Sequence, residues 1–345
     1  MIKAAIIGDG YTAAELLRLL AGRDDVAVEC ITSTENIGKK INQVYPHLTG
    51  FFDLTCTATD LNLINNSCQV AFLALPHGLS VPMVKELVSG GVRCIDLGAD
   101  FRLKDVAIYE KYYETVHEAP HMLADAVYGL PELYRDKIKD AQIVANPGCY
   151  PTSAIVPLAP LLKAGLLAGE GIIVDSKSGV TGAGRSAKPS NHFCEVNEGF
   201  KAYGVGTHRH GPEIAQELSL AAGTTVQMIF TPHLVPMNRG ILSTIYARLR
   251  TGAEAGQVRK VLEEAYGTEP FVRVLPEGVF PHTKWVYGSN FIDIGIYADE
   301  ESGQVILVSA LDNLTKGASG QAIQNLNVMF GWPETKGLLF PGVHP

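Results

Sequence analysis

The sequence has little of what marks membrane or nucleic-acid-binding proteins. Charged residues make up 19% of the chain, 28 Lys and Arg stand against 36 Asp and Glu, and the formal net charge of −8 comes without a basic cluster. Nucleic acids and anionic membranes are therefore poor candidates for partners, since both attract positive charge. The most apolar later stretch, residues 154–168, is too short to span a bilayer and contains two prolines and Lys163.

Cysteine is also sparse. The six cysteines are scattered without a Cys-x-x-Cys pair, which is typical of reduced thiols in a cytoplasmic chain. The first residues lead straight into an apolar, strand-like run, so we expect no signal or transit peptide. Together these absences predict a soluble cytoplasmic protein whose partners are neither nucleic acid nor membrane.

What is present indicates two domains of α/β character. A length of 345 residues with 46% hydrophobic residues suits two domains. In residues 1–148 short apolar runs alternate with helical patterns, which predicts a Rossmann-type, doubly wound parallel sheet. In residues 149–312 longer strand-like runs follow with few helices, which predicts an α+β domain with a mostly antiparallel sheet. A helical pattern at 318–329 predicts that residues 313–345 return to complete the first domain.

The first motif is Gly-Asp-Gly-Tyr-Thr-Ala at residues 8–13, between the first strand and the first helix. It fits the G-x-G-x-x-A form of the dinucleotide fingerprint, in which small residues let a pyrophosphate approach a helix N-terminus. Gly8, Gly10, Tyr11 and Thr12 are therefore candidates for cofactor binding. The alternative is a tight strand-to-helix turn that binds nothing.

The end of the second strand indicates which dinucleotide is bound. An acidic residue there would bind the ribose 2′-hydroxyl of NAD. The sequence instead has Thr-Ser-Thr at 32–34, with Lys39 and Lys40 close behind, and hydroxyl and ammonium groups suit a 2′-phosphate. We therefore expect NADP, with Ser33 and Lys39 as ligands; Glu35 would make NAD plausible if its side chain pointed inward.

A candidate nucleophile lies in Asn-Pro-Gly-Cys-Tyr-Pro-Thr at residues 146–152. Pro151 suits the first position of a helix, which would place Cys149 at the helix N-terminus. The dipole and free N–H groups there favour a thiolate and can bind an oxyanion. The alternative is a buried, inert cysteine. The other five cysteines are interpreted as packing or surface residues.

Two further segments carry polar chemistry. Residues 207–213 place His208, Arg209 and His210 just before a predicted helix, which offers an acid/base group and an anion anchor. Metal binding by the two histidines is the rival interpretation, but the other ligands of such a site are missing nearby, so we expect no metal. Residues 178–188 form a Gly-rich run with Ser178, Arg185 and Lys188, which suits an anion unless it is only a solvated surface loop.

Taken together, these segments resemble the N-acetyl-γ-glutamyl-phosphate reductase family, relatives of the aspartate-semialdehyde dehydrogenases. The resemblance covers almost the whole chain. It rests on Ala-Leu-Pro-His-Gly at 74–78, Asp-Leu-Gly-Ala-Asp-Phe-Arg-Leu at 96–103, Tyr-Gly-Leu-Pro-Glu at 128–132, the segments 146–152, 178–185 and 208–213, Glu-Val-Asn-Glu at 195–198, Thr-Pro-His-Leu-Val-Pro-Met at 231–237, Lys-Gly-Ala-Ser-Gly-Gln-Ala at 316–322, and residues 325–332. Two departures exist. The family's G-x-x-G-Y-T-G opening is one residue longer and ends in Gly rather than Ala13, and Thr34 stands where a basic residue is frequent.

The resemblance implies NADPH-dependent reduction of an acyl phosphate to an aldehyde in arginine biosynthesis, through a thioester on Cys149. His208 is then the acid/base candidate, with His210 as the alternative. The side chain of Asn146 and backbone N–H groups near Cys149 are the oxyanion donors that the mechanism implies. The substrate phosphate and carboxylate would be held by residues among Ser178, Arg185, Lys188, Glu198 and Arg209. Pro76, Gly78 and Gln321 would border the nicotinamide.

Some alternatives stay open at this point. The motifs encode the reaction and not the acyl tail, so an N-succinyl or carrier-protein-bound acyl phosphate is a possible substrate. A nucleotide-binding protein without catalysis is less consistent with the presence of both the cysteine and the histidines. By analogy with the family, we expect a homodimer or homotetramer built through the sheet of the second domain.

Overall fold

The computed structural model describes residues 1–344, which form two compact units. The first comprises Met1–Pro147 and Ala318–Leu339, and the second comprises Gly148–Gly317 and the C-terminal residues from Phe340. The units divide one residue earlier than the boundary drawn from the sequence. The segment that returns to the first unit begins at Ala318 rather than at residue 313, and it ends at Leu339.

The first unit contains a seven-stranded parallel sheet in the order β3-β2-β1-β4-β5-β7-β6. Its strands are β1 (Ile2–Ile7), β2 (Val26–Thr32), β3 (Cys56–Thr57), β4 (Val70–Leu73), β5 (Arg93–Asp96), β6 (Val127–Tyr128) and β7 (Ile143–Ala145). Its first helices are α1 (Tyr11–Leu20), α2 (Ile41–Val44), α3 (Leu61–Ser67), α4 (Ser80–Ser89), α5 (Val106–Tyr113) and α6 (Pro131–Asp140). The centre of the sheet is fully buried, as expected for parallel strands covered on both faces, and the predicted Rossmann-type architecture is confirmed.

The strand order of this unit reverses between β1 and β4. The chain moves from β1 outward through β2 and β3, and it then returns to the other side of β1 with β4 and β5. In open α/β sheets, ligands bind beyond the carboxyl ends of the strands at such a switch point. Residues 8–12 and 74–80, which follow β1 and β4, therefore lie at the edge where a ligand is expected.

The second unit contains a seven-stranded mixed sheet in the order β12-β13-β14-β11-β8-β10-β9. Its strands are β8 (Ile172–Ser178), β9 (Lys201–Ala202), β10 (Met228–Leu234), β11 (Ile241–Arg248), β12 (Val272–Val274), β13 (Ile292–Ala298) and β14 (Gln304–Leu311). Its helices are α7 (Cys149–Lys163), α8 (Phe193–Val196), α9 (His210–Ala222), α10 (Ala255–Tyr266) and α11 (Thr283–Val286).

Four of the six strand pairs in this sheet are antiparallel, which confirms the predicted character of the domain. The two parallel pairs are β8 with β10 and β12 with β13. Helix α9 lies between β8 and β10 in the chain, and a crossover helix of this kind lets two neighbouring strands run parallel. Helices α7, α9 and α10 pack on one face of the sheet.

Helix α12 (Gly320–Met329) belongs to the first unit, where it packs against α1, α6 and β5, and all of its residues are buried. Several of those buried residues are polar, so this helix brings amide side chains as well as apolar surface to the unit. Within residues 1–344, no helix combines the length and the apolar character required to cross a bilayer.

Candidate active site

Cys149 is the first residue of the fifteen-residue helix α7. The preceding residue, Gly148, has an extended backbone (φ −68°, ψ 153°), and no side chain caps the helix from that position. The sequence predicted Pro151 at the first helical position, but the helix begins two residues earlier and Pro151 is its third residue. A proline is tolerated there because the N–H groups of the first turn have no acceptor within the helix. Cys149 thus lies where the helix dipole favours a thiolate.

Glu213 holds Gly148, the residue before Cys149. Its fully buried carboxylate accepts a hydrogen bond from the backbone N–H of Gly148, with 2.9 Å between Oε1 and N. Glu213 lies in the first turn of α9, so this bond ties the start of α9 to the start of α7. Glu213 lies at the end of the segment 207–213, but no local pattern predicts which backbone group a buried carboxylate will bind.

Tyr150, the residue after Cys149, is in ring contact with both histidines. Its ring lies 5.7 Å from the ring of His208 and 5.9 Å from that of His210, measured between centroids. The Tyr150 hydroxyl lies 3.0 Å from the hydroxyl of Tyr203 and donates to the carbonyl of His233 at 3.3 Å. Burial raises the pKa of Tyr203 to about 12, so this hydroxyl stays protonated near neutrality. Neither tyrosine was singled out from the sequence. The position of Tyr150 directly after a candidate nucleophile was the one local feature that pointed to it.

His208 is an uncharged imidazole at neutral pH. Burial, and next the positive charge of Arg209, lower its pKa from 6.5 to about 4. Its Nδ1 accepts the backbone N–H of His210 at 3.1 Å. Because Nδ1 is an acceptor, the neutral ring carries its proton on Nε2 and offers a hydrogen-bond donor there. His210 is the first residue of α9, with its ring centroid 4.9 Å from that of His208.

The Gly-rich segment follows β8. Ser178 is its last strand residue and is buried, with its hydroxyl donating to the carbonyl of Gly179 at 3.0 Å. Residues 182–190, which include Arg185 and Lys188, are all exposed. Arg209 and Glu198 are exposed as well, and Glu198 has a left-handed backbone with φ +59°. The cations are therefore accessible to an anionic ligand from solvent.

In the first unit, the turn after β1 fits a dinucleotide. Gly8 has φ +109°, and a Cβ there would lie 2.4 Å from the carbonyl oxygen of Ala74, so no larger residue fits. A Cβ at Gly10 would meet nothing within 4 Å, which leaves open space beside the backbone. No side chain caps helix α1 at Gly10. The backbone N–H groups of Tyr11 and Thr12 in the first turn are thus disposed to bind a phosphate.

The residues after β2 form a polar cluster around Asp9. The Ser33 hydroxyl donates to Asp9 Oδ2 at 2.9 Å, and the Asn36 amide donates to the same oxygen at 2.7 Å. Lys39 is exposed and its Nζ donates to Asn36 Oδ1 at 3.0 Å. Glu35 is exposed, so the inward orientation that would favour NAD is not found. The hydroxyl and the amide are thus bound to Asp9, and the exposed ammonium group of Lys39 is the member of this cluster that suits a 2′-phosphate.

The loop after β4 is held by a buried carboxylate. Asp100 Oδ1 accepts from the backbone N–H of Gly78 at 2.7 Å, and its Oδ2 accepts from that of Ser80 at 3.0 Å. Gly78 has φ +84°, whereas Pro76 is exposed at the same loop. The loop predicted to border the nicotinamide therefore has a defined position, and Asp100 is a residue that the sequence analysis did not single out.

Two amide side chains of the first unit differ in their partners. Asn146 is buried, donates to the carbonyl of Ala318 at 3.0 Å, and accepts from Asn325 at 3.0 Å through Oδ1. These two hydrogen bonds give the Asn146 amide a structural role within the first unit. Gln321 is fully buried, and within residues 1–344 neither of its amide atoms has a hydrogen-bond partner. A buried unpaired amide is costly, so Gln321 fits a ligand amide such as the nicotinamide carboxamide.

Metal binding gains no support in the described part of the chain. Residues 1–344 contain no group of three or more His, Cys, Asp and Glu side chains arranged to hold a metal ion.

Two family models match the chain. The semialdehyde dehydrogenase NAD binding domain matches residues 3–141, and the semialdehyde dehydrogenase dimerisation domain matches residues 149–313. Among solved structures, aspartate semialdehyde dehydrogenase II of Vibrio cholerae has a TM-score of 0.73 at 18% identity, covering 96% of this chain and 98% of that one. The Candida albicans aspartate semialdehyde dehydrogenase with NADP has a TM-score of 0.70 at 14% identity, with 96% and 98% covered. These structures share the fold.

Much more similar relatives identify the branch of the family. The N-acetyl-gamma-glutamyl-phosphate reductase of Pelotomaculum thermopropionicum is 53% identical over 345 residues, which is 100% of this chain and 99% of that protein. The protein of the same name from Heliobacterium modesticaldum is 51% identical over 351 residues, with 100% of both chains covered. These similarities confirm the resemblance inferred from the motifs: the chain belongs to the semialdehyde dehydrogenase family and, within it, to the N-acetyl-gamma-glutamyl-phosphate reductases.

Proposed function

We propose that this enzyme reduces N-acetyl-γ-glutamyl phosphate to N-acetyl-L-glutamate 5-semialdehyde with release of phosphate, in arginine biosynthesis. Its substrate is a small molecule, as family membership implies. The single observation that carries the mechanism is the position of Cys149 at the N-terminus of α7. A thiol in that position meets the requirement for a covalent nucleophile, because the helix terminus stabilises the thiolate and can also bind the oxygen of the attacked carbonyl.

The chemistry proceeds through two covalent states on Cys149. The thiolate attacks the carbonyl carbon of the acyl phosphate, the bond from that carbon to the phosphate oxygen breaks, and a thioester forms. NADPH, when bound, supplies the hydride that reduces this thioester. In the resulting thiohemiacetal the carbon–sulfur bond breaks, which releases the aldehyde and returns the thiolate. The reaction thus needs a group that stabilises the oxygen and a group that moves its proton.

His208 is proposed for the first of these tasks. Its neutral ring has Nε2–H as donor, which suits an oxygen that gains negative charge. Proton transfer by the imidazolium would require the protonated form, and a pKa of about 4 makes this form rare at neutral pH. His210, two residues along and in ring contact with His208, is therefore proposed as the proton-transfer group. The pH profiles of the His208→Gln and His210→Gln variants separate the two assignments.

Anion binding is proposed for the segment after β8. Ser178 at the strand end, together with the exposed Arg185 and Lys188, supports binding of the phosphate. Arg209 and Glu198 are proposed for the remainder of the substrate, with the cation binding its carboxylate. Because the net charge is −8, these local cations must capture an anionic substrate against the field of the whole molecule.

NADP(H) is the proposed cofactor. The residues that would hold it are Gly8, Gly10, Tyr11 and Thr12 at the pyrophosphate, Ser33 and Lys39 at the 2′-phosphate, and Pro76, Gly78 and Gln321 at the nicotinamide. The open space at Gly10, the exposed Lys39 and the unpaired amide of Gln321 support this assignment. The NAD binding domain model and the NADP title of the Candida albicans structure are consistent with it.

A homo-oligomer through the second sheet is also proposed. Strand register places five large apolar side chains in one row across the face opposite α7, α9 and α10: Tyr297, Ile306, Tyr246, Ile173 and Ile229. Four of them are between 39% and 59% exposed. A row of this kind on a sheet suits a second copy of the same chain, and the dimerisation domain model supports it. The cytoplasmic location stays a prediction of the sequence.

The reverse reaction is the most direct test, since an acyl phosphate is labile. NADP reduction by N-acetylglutamate 5-semialdehyde is measured with and without inorganic phosphate, for the wild type, Cys149→Ala and the matched control Cys194→Ala at an exposed cysteine. We expect phosphate-dependent activity in the wild type and the control, and its loss in Cys149→Ala. Full activity in Cys149→Ala would refute the thioester mechanism. Preference for the N-succinyl semialdehyde would change the substrate, and preference for NAD would change the cofactor.

A further inference from the structure

The backbone of Gly317 lies close to Cys149, the proposed nucleophile. A Cβ built on Gly317 would lie 2.7 Å from Cβ of Cys149, 3.2 Å from its Cα and 3.3 Å from the carbonyl oxygen of Asp312. Carbon atoms at such distances clash, so the close approach of these two backbones requires glycine at this position. Residue 317 therefore fixes how far the first residue of α7 can move toward the segment 312–317.

The segment 312–317 is itself held by a buried carboxylate. Asp312 is fully buried and its Oδ1 accepts from the backbone N–H groups of Leu314 at 2.8 Å and Thr315 at 3.1 Å. The same oxygen accepts from Arg239 Nη2 at 2.9 Å. The main-chain oxygen of Asp312 accepts from the N–H of Gly317 at 2.9 Å. Charge-assisted bonds inside a protein are stronger than neutral ones, so this segment is rigid.

The other end of the same segment holds the Gly-rich loop. Asn313 Nδ2 donates to the hydroxyl of Thr181 at 3.0 Å, and Asn313 Oδ1 accepts from the backbone N–H of Gly240 at 2.7 Å. The backbone N–H of Thr181 donates to the carbonyl of Asn238 at 3.1 Å. Asn313 thus joins the loop that follows β8 to the turn that precedes β11, and it does so one residue away from Asp312.

We propose that the segment 312–317 is the positioning element of the active site, in which Gly317 places Cys149 and Asn313 places the phosphate-binding loop. This inference rests on the proposed function for the identity of the loop's ligand. Neither residue needs to touch substrate. Each acts through a neighbouring residue. Because Asp312 holds both ends of the segment 312–317, the position of Cys149 relative to the phosphate-binding loop stays fixed. Displacement of a reacting group by about 1 Å is enough to lower rates up to about 100-fold.

Variants at the two ends of the segment 312–317 should differ in their effects on activity and on the alkylation of Cys149. In Gly317→Ala, Cys149 is displaced; we expect kcat and the rate of iodoacetamide alkylation at Cys149 to fall about tenfold or more, with KM for phosphate little changed. In Asn313→Ala, the loop loses its anchor; we expect KM for phosphate in the reverse reaction to rise about tenfold, with the alkylation rate unchanged. Thr181→Val removes the partner of Asn313 and should reproduce the rise in KM.

Controls keep folding and function apart. Gly256→Ala is the matched glycine variant, since a Cβ at Gly256 in α10 meets nothing within 4 Å, and it should leave both measurements unchanged. Alkylation is followed on the peptide containing Cys149 in full-length protein, so it needs neither cofactor nor substrate and tests Gly317 even if the proposed reaction is absent. Hydrogen exchange of residues 178–184 tests Asn313 in the same way, with faster exchange expected in Asn313→Ala.

The outcomes decide the proposal. Wild-type alkylation and kcat in a folded Gly317→Ala would overturn the role of Gly317. Two other results would overturn the separate roles of Asn313 and Gly317. One is a rise in KM for phosphate in Asn313→Ala without faster hydrogen exchange of residues 178–184. The other is an alkylation rate of Cys149 that falls equally in Asn313→Ala and Gly317→Ala. If the wild type does not reduce NADP with either semialdehyde while the alkylation and exchange results hold, the proposed function fails and the positioning inference stands.

Discussion

The side chain of Asp100 offers the sharpest test of the physical reasoning, in the change Asp100→Ala. This carboxylate is fully buried in the first unit and accepts three hydrogen bonds, from Gly78 N at 2.7 Å, Ser80 N at 3.0 Å and the Tyr109 hydroxyl at 2.8 Å. Burial, and next the charge of Asp100, raise the pKa of Tyr109, so its hydroxyl stays a donor at any physiological pH. Alanine leaves all three donors without an acceptor.

The magnitude follows from that count. The Ser80 and Tyr109 donors are buried and the Gly78 donor is half-buried. A buried donor left unsatisfied costs about 1–2 kcal/mol at the lower end of the usual range, so the lost stability is roughly 2–5 kcal/mol. Tyr109→Phe removes one donor and leaves the two backbone bonds in place, so it should cost only about 1 kcal/mol. Asp100→Asn should lie between them, because an amide keeps one acceptor oxygen and turns an NH₂ group toward a donor.

Urea unfolding at neutral pH measures these costs, and NADP titration of the folded variants measures the loop. Because Gly78 is part of the proposed nicotinamide border, we expect weaker NADP binding in Asp100→Ala and near wild-type binding in Tyr109→Phe. The reasoning would be refuted if Asp100→Ala cost less than about 1 kcal/mol, or if Tyr109→Phe cost as much as Asp100→Ala.

Three further predictions concern other parts of the chain. The pKa of His208 is about 4 in the folded state against 6.5 for the free side chain, so the folded state binds fewer protons and its stability falls as pH drops from 6.5 to 4. In urea unfolding at each pH, the wild type should lose up to about 3 kcal/mol more stability across that window than His208→Gln. Parallel stability curves for the two proteins would contradict the prediction. Gly8→Ala places a Cβ 2.4 Å from the carbonyl oxygen of Ala74 at a left-handed φ, so it should destabilise the protein by about 2 kcal/mol or more and weaken NADP binding. Melting curves measure the first effect and NADP titration the second. Wild-type values for both would exclude the proposed role of Gly8. Ile173→Asp, at the centre of the exposed row on the second sheet, should shift the mass measured by light scattering toward the monomer, whereas Leu220→Asp at an exposed site on α9 should not; an unchanged mass in Ile173→Asp would place the interface elsewhere.

Local pattern was enough for the architecture of the first unit and for the prediction that Cys149 lies at the start of a helix. The apolar run of β1, the small residues at 8–13 and the start of α1 are contiguous in the chain, and hydrophobic periodicity reports such contiguous elements well. Helix signals around Pro151 placed Cys149 at a helix N-terminus, although the helix starts two residues before the predicted position. Full-length similarity of motifs then indicated the reaction, since those motifs contain the residues that are proposed to react.

Tertiary structure decided which buried groups hold these residues in place. The bond from Gly148 to Glu213 spans 65 residues, the pair of Arg239 with Asp312 spans 73, and the contact of Asn146 with Ala318 spans 172. Each depends on strand register and on how helices pack, and the side-chain pattern of one element carries no information about the partner it will meet. The sequence by itself therefore determined the elements and the chemistry of the residues, whereas only the packed chain determined the positions of Cys149, His208 and the loops around them, because buried polar groups must find partners wherever the fold brings them.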